Sequence, residues 1–152
     1  MITARHQQLV RNRKFVLIKL NTIEKITLGV SGFTALGIGG MITIAPHAFY
    51  ASYGINLENN ASLLSELRAP AAGLTTLGIL MLLGIWRSAL AQLAVSATLI
   101  VFLAFPAGRL IGLVVDGMPT SGIIGALLLE LAIAALCLFA FRRRLGNRPI
   151  NP

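Results

Sequence analysis

Charged and reactive side chains are scarce in this sequence, and each shortage excludes a class of protein. Only 12% of the residues are charged and only five are acidic, whereas 56% are hydrophobic, a balance that is too apolar for an ordinary soluble domain. The single cysteine, Cys137, has no partner for an internal disulfide. Neither histidine lies in a long apolar run, so haem ligation inside such segments is disfavoured and no metal site or cofactor is predicted.

Long apolar stretches make up most of the chain instead. Four of them approach or exceed the roughly 20 residues that a membrane-spanning helix needs. The predicted spans are residues 26–44, 67–86, 89–116 and 123–141. We therefore predict an all-α, four-helix integral membrane bundle over residues 23–145, with a basic juxtamembrane segment (1–22) before it and a short tail (146–152) after it. The third span is longer than a bilayer requires, and we expect Pro106 to kink it.

The positive charges lie mostly at the ends of these stretches. Eleven of the thirteen Lys and Arg residues fall in the N-terminal segment, in the turn at Arg87 or in the C-terminal tail. By the positive-inside rule, both termini are expected in the cytoplasm, and the charge pattern argues against nucleic-acid binding. The basic N-terminal segment is either an interfacial helix on anionic lipid or a segment that only sets orientation. The residues predicted at the lipid interface are Arg11, Arg13, Lys14, Trp86, Arg142, Arg143 and Arg144.

A smaller set of charges lies inside or beside the predicted spans, where an ionised side chain costs about 2.5–3.5 kcal/mol unless it is paired or used. The topology places the whole set in the outer half of the bundle. Its members are Glu66, Arg68, Arg109, Asp116 and Glu130. Arg109 and Asp116 are two helical turns, about 10 Å, apart and are poor partners for each other. We predict that Arg109 pairs with Glu130 and that Arg68 pairs with Asp116 or Glu66, because sequential helices are usually neighbours.

Small residues in the first span, Ser31, Ala35 and Gly39, recur at every fourth position. Such a strip lets a neighbouring helix approach closely, which stabilises helix association in lipid. We interpret it as a packing surface.

Three segments resemble a bacterial family of small four-helix membrane proteins that is known only as a domain of unknown function. They are residues 65–73 (SELRAPAAG), 108–117 (GRLIGLVVDG) and 129–131 (LEL). The layout is also similar to that of DoxX-like proteins. The resemblance covers about residues 22–145 and implies four spans in a bacterial inner membrane, with the basic N-terminal segment as an extension. It implies no activity.

Three functions are compatible with these patterns. We favour a non-enzymatic membrane protein that is an accessory or assembly subunit of a membrane complex, or that forms a homo-oligomer. The second hypothesis is a binder or carrier of a small anionic, lipid or quinone-like ligand in the outer polar cluster. The third, an intramembrane enzyme with Glu130 or Asp116 as general base, has the least support, because the motifs of zinc proteases, serine hydrolases and phosphate-binding loops are absent.

Overall fold

The computed structural model describes residues 19–146 as five helices, with no strand in that range. The helices are α1 (Thr22–Ile44), α2 (Pro46–Ala51), α3 (Ala61–Trp86), α4 (Ala91–Val115) and α5 (Ser121–Gly146). Four of them, all but the short α2, are long and apolar enough to cross a membrane. The predicted all-α class is confirmed, and the chain is an integral membrane protein with four candidate spans in residues 19–146. The predicted interfacial residues Arg11, Arg13 and Lys14 lie outside the described residues.

The bounds of all four long helices differ from those of the predicted spans. Helix α3 begins at Ala61 because the side chain of Asn60 accepts hydrogen bonds from the backbone N–H groups of Ser62 and Leu63, an N-cap that comes before the apolar run. Helix α4 has 25 residues, against 26 each in α3 and α5, because a turn at residues 88–90 precedes it. The third span is therefore not longer than its neighbours, and it continues as one helix through Pro106.

Sequence neighbours pack side by side. Helix α1 packs most closely on α3, α3 on α4 and α4 on α5, while α5 returns to contact α1. Helices α3 and α5 do not contact each other within residues 19–146, so they are diagonal to one another across the bundle. We call the end that holds the start of α1 and the end of α5 the termini end, and the opposite end the loop end.

The α1–α3 contact depends on glycine. A Cβ atom built on Gly78 would lie 2.6 Å from the backbone nitrogen of Leu36, and one on Gly39 would lie 2.6 Å from the carbonyl oxygen of Ala71. Distances this short to backbone atoms leave no room for any larger residue. Gly39 and Ala35, from the predicted small-residue strip, are both buried. The interpretation of that strip as a packing surface is confirmed for this part of it.

The loop end is closed by contacts between two connections. The hydroxyl of Thr120, just before α5, donates a hydrogen bond to the backbone carbonyl of Tyr53 at 2.8 Å. Gly122 leaves room for the Tyr53 ring, since an added Cβ there would lie 2.9 Å from ring atom Cδ1. Tyr53 follows α2, so these contacts hold α2 over the loop end of the bundle.

Candidate functional site

Arg109 of α4 and Glu130 of α5 form an ion pair in the half of the bundle nearer the loop end, which we call the loop half. The Nε–H of Arg109 donates to both carboxylate oxygens of Glu130, at 3.1 Å to Oε1 and 2.9 Å to Oε2. The Glu130 side chain is only 6% exposed, whereas that of Arg109 is 30% exposed. The predicted pairing of these two residues is confirmed.

The position of the pair follows from the chain path. Glu130 lies nine residues after Ser121, or about 13 Å along α5, which places it well inside the apolar part of that helix. Arg109 lies six residues before Val115, the last residue of α4. Because α4 and α5 are adjacent and joined by a short connection, the two side chains meet between the helices.

Glu130 uses only part of the hydrogen-bonding capacity of Arg109. A guanidinium group carries five N–H donors, and the Nη1 and Nη2 groups of Arg109 donate to no other described residue. No buried side-chain nitrogen or oxygen lacks a hydrogen-bond partner within residues 19–145, so the Nη groups are accessible rather than buried. Glu130 therefore orients the guanidinium while its terminal donors stay available.

A cavity of about 190 Å³ lies beside this pair. All five helices contribute to its walls, which are mainly aliphatic and aromatic. The lining residues are Thr34, Ala35, Ile38, Ile42, Phe49, Tyr50, Tyr53, Leu67, Pro70, Ala71, Leu74, Val101, Phe102, Phe105, Arg109, Ile123 and Glu130. The cavity thus joins an apolar interior to one oriented, charge-neutral ion pair.

Tyr50, on α2, contributes a phenol to the same cavity. Burial raises the pKa of Tyr50 above its ordinary value, and the positive charge of Arg109 opposes that rise. The phenol is therefore neutral near pH 7 and is able to donate a hydrogen bond. It is a polar group of the cavity that the sequence analysis did not identify.

The rest of the predicted polar cluster does not come together. No ion pair joins Arg68 to Asp116 or Glu66 in the described residues, so this second predicted pairing is wrong. Arg68 instead donates from Nε to the carbonyl oxygen of Thr43 at 3.2 Å. Asp116 is the exposed C-cap residue of α4.

Helix geometry explains this outcome. Leu67, Pro70 and Leu74 of α3 line the cavity, and successive residues of a helix are rotated by about 100° from one another. Glu66 and Arg68, on either side of Leu67, therefore point away from the cavity and are exposed.

Sequence reasoning missed a second ion pair, at the termini end. Arg144 donates from Nε to Oε1 of Glu24 at 2.5 Å and from Nη2 to Oε2 at 2.9 Å. Glu24 is buried and also completes a capping box with Asn21, each accepting a 2.8 Å hydrogen bond from the backbone of the other. The signal was present in the sequence, because an Asn with Glu three residues later is a helix-start pattern.

The other predicted interface residues differ in their surroundings. Trp86 is 74% exposed at the end of α3, and the Arg142 guanidinium carbon lies 4.6 Å from the ring centroid of Phe139. Arg143 is exposed. Arg144, by contrast, faces Glu24, so the three consecutive arginines do not form a single surface.

A family model described as a domain of unknown function, DUF4345, matches residues 23–141. The chain belongs to this family. The DUF4345 match includes the Arg109–Glu130 pair and every residue that lines the cavity beside it. It ends before Arg142, and residues 1–22 precede it. No curated protein and no solved structure matches this chain.

Proposed function

We propose that this DUF4345 protein binds or carries a small amphipathic molecule of the membrane in the cavity beside Arg109. The observation that carries the proposal is the combination of an apolar cavity of about 190 Å³ with an arginine whose terminal N–H groups have no described partner. A pair that served only to fix helix register would require no cavity. This evidence favours the ligand-binding hypothesis over the accessory-subunit hypothesis that the sequence favoured.

The charge of the site supports a particular ligand class. Because Glu130 neutralises Arg109, an anionic ligand would leave the site with a net negative charge in a low-dielectric environment. A neutral acceptor, such as the carbonyl oxygen of a quinone-like ring or of a lipid ester, accepts hydrogen bonds from Nη1 and Nη2 without that penalty. Phe102, Phe105 and Tyr50 in the wall suit a flat or unsaturated group.

The size of the cavity supports binding of a head group rather than a whole lipid. Pockets for drug-sized molecules are typically about 300–1,000 Å³, and this one is smaller. A hydrocarbon tail would therefore extend from the cavity along the lipid-facing surface of the bundle.

We further propose that the protein resides in a plasma membrane, with both termini cytoplasmic and the cavity in the outer half. The distribution of Lys and Arg supports this orientation, since Lys19, Lys25 and Arg87 lie at the termini end together with the arginines of α5. A ligand of this class would then reach the site from the outer leaflet.

Binding of a short-chain benzoquinone to the purified protein in detergent tests the proposal. We expect Arg109→Gln to weaken binding about tenfold or more, because a hydrogen bond from a charged donor contributes about 1.5–3 kcal/mol. The double variant Arg109→Gln/Glu130→Gln removes both charges and leaves no unpaired carboxylate, so it keeps the test valid if the single variant fails to fold. Arg68→Gln is the matched control, since Arg68 is exposed and does not line the cavity. Equal affinity in the folded double variant and the wild type would contradict the proposal.

Assembly with other membrane helices is a second candidate function. Gly37, Gly40, Gly73, Gly108 and Gly125 have open space where a side chain would be, within the described residues. Glycines on the outer surface of membrane helices allow a partner helix to approach closely. Native mass spectrometry of the protein extracted with a mild detergent tests this candidate: a stable homo-oligomer or hetero-complex that Gly37→Ile disrupts would support it, and a monomer would contradict it.

A further inference from the structure

The three consecutive arginines at the end of α5 have different roles. Arg144 is committed to the buried Glu24, through two hydrogen bonds. The other four acidic residues, at positions 58, 66, 116 and 130, all lie in the loop half. Arg142 and Arg143 therefore have no carboxylate partner in the described part of the chain.

These two arginines line a separate cavity of about 160 Å³ between the start of α1 and the end of α5. Its walls combine cationic, amide and apolar side chains. The lining residues are Asn21, Ile23, Phe139, Ala140, Arg142 and Arg143. The site is far from the Arg109 cavity, because it lies at the opposite end of the bundle.

The polar groups in this cavity are hydrogen-bond donors. The Asn21 side-chain oxygen accepts from the backbone of Glu24, which orients the amide so that its NH₂ group remains, and that group donates to no described residue. Arg142 lies over the Phe139 ring, and a guanidinium stacked on a ring keeps its in-plane N–H groups available. Ile23 and Phe139, about half exposed, supply apolar surface next to these donors.

We propose that this cavity binds the head group of an anionic phospholipid. Guanidinium groups bind phosphate oxygens in a bidentate manner, and two of them face this cavity without a competing acid. The site lies at the end of two membrane-spanning helices, where phospholipid phosphates are found, and the adjacent Lys19 increases the positive potential. The first carbons of the acyl chains then contact Ile23 and Phe139. This site is independent of the proposed function of the Arg109 cavity.

Native mass spectrometry with added phosphatidylglycerol and phosphatidylcholine of equal chain length tests the proposal on the full chain. We expect the wild type to retain phosphatidylglycerol preferentially, and Arg142→Gln/Arg143→Gln to lose about tenfold or more of that retention, given roughly 1 kcal/mol for each basic residue near an anionic surface. The matched control is Lys25→Gln/Arg87→Gln, which removes the same charge from exposed residues at the same end that do not line the cavity.

A second pair of variants tests the apolar wall without any change of charge. Phe139→Ala should reduce phosphatidylglycerol retention several-fold, whereas Leu138→Ala, at a comparably exposed neighbour outside the cavity, should not. This pair keeps the proposal falsifiable if the double arginine variant does not fold.

Three results would overturn the proposal. Equal loss in the Lys25→Gln/Arg87→Gln control would show only a general attraction between the basic surface and anionic lipid. Equal retention of the two lipids would show that the phosphate site does not select for charge. Displacement of phosphatidylglycerol by an equal concentration of inorganic phosphate would show a simple anion site rather than a lipid site.

Discussion

In the Arg109–Glu130 pair, the acid orients the guanidinium group but accepts hydrogen bonds from only one of its three nitrogens. Both Glu130 oxygens accept from the same nitrogen, Nε, so neither Nη group donates a hydrogen bond to the acid. Glu130 is nearly buried and Arg109 is partly exposed, which is the arrangement expected of a positioned donor at the wall of a cavity.

Replacing the buried acid tests how much this ion pair contributes to the stability of the bundle. Glu130→Gln keeps the side-chain shape but leaves Arg109 without a counter-charge inside the bundle. We expect a loss of about 1–2 kcal/mol in the free energy of unfolding, at the upper end of polar contacts measured between membrane helices. Glu66→Gln, at an exposed acid that has no ion-pair partner within residues 19–146, should change it by less than about 0.5 kcal/mol. Reversible unfolding in mixed detergent micelles measures both values, and equal effects would contradict the role assigned to Glu130.

The raised pKa of Tyr50 predicts that the stability of the folded protein depends on pH in the alkaline range. Because burial raises its pKa in the folded protein, the unfolded chain releases this proton first, near pH 10. The stabilisation is therefore fully present below about pH 10 and is lost as the pH rises through the folded pKa. Thermal unfolding at a series of alkaline pH values should show a smaller loss of stability in Tyr50→Phe than in the wild type. Identical pH profiles would contradict this expectation.

The association of α1 with α3 is set by contact between backbones. Gly39 and Gly78 each leave no room for a Cβ next to the backbone of the facing helix. In lipid, where apolar burial gives little drive for helix association, this closeness increases the dispersion attraction between the helices. The α1–α3 pair is thus the most tightly packed part of the bundle and forms one side of the Arg109 cavity.

Substitutions at two glycines of α3 distinguish the effect of close helix packing from the effect of helix propensity. Gly78→Ala would place its Cβ 2.6 Å from the Leu36 backbone, and we expect this overpacking to destabilise the bundle by about 1–3 kcal/mol. Gly73→Ala has open space around it and should be neutral or stabilising by up to about 1 kcal/mol, because alanine favours the helix. The difference in unfolding free energy between the variants measures the effect, and a similar value for both would argue against close α1–α3 contact.

The complete bundle has chemically different ends. The termini end has the Glu24–Arg144 pair and two arginines without an acid, whereas the loop end has the Arg109 cavity beneath α2 and the other four acids. The four spans in residues 19–146 place both ends of this range on one side of a membrane, and the excess of Lys and Arg there predicts a cytoplasmic location.

Labelling of single cysteines tests this topology. In a Cys137→Ser background, Glu58→Cys and Met118→Cys at the loop end should react with a membrane-impermeant maleimide in intact cells, because both positions are exposed. Arg87→Cys, at the termini end, should react only after the membrane is permeabilised. Labelling of positions 58 and 87 from the same side would contradict the four-span arrangement, and the reverse pattern would contradict the cytoplasmic location of the termini.

Several features were readable from the order of residues alone. The four spans follow from apolar length, which the thickness of the bilayer dictates. The Arg109–Glu130 pair follows because both charges lie within apolar helices that the short connection makes neighbours, so each is the other's nearest partner. The family match over residues 23–141 agrees with the range inferred from three short motifs.

Other features depended on how the helices are rotated about their axes. A soluble bundle shows that rotation by its polar outer face, but here the lipid-facing side is as apolar as the core, so Leu67 and Ile79 look alike in sequence although only Leu67 lines the cavity. The rotation of α3 directs Glu66 and Arg68 away from the cavity, and the end of α5 turns Arg144, but not Arg142 or Arg143, toward Glu24. The rotation of each helix about its axis is decided by its contacts with neighbouring helices. Those contacts depend on how the shapes of facing side chains fit together, which hydrophobicity alone does not reveal.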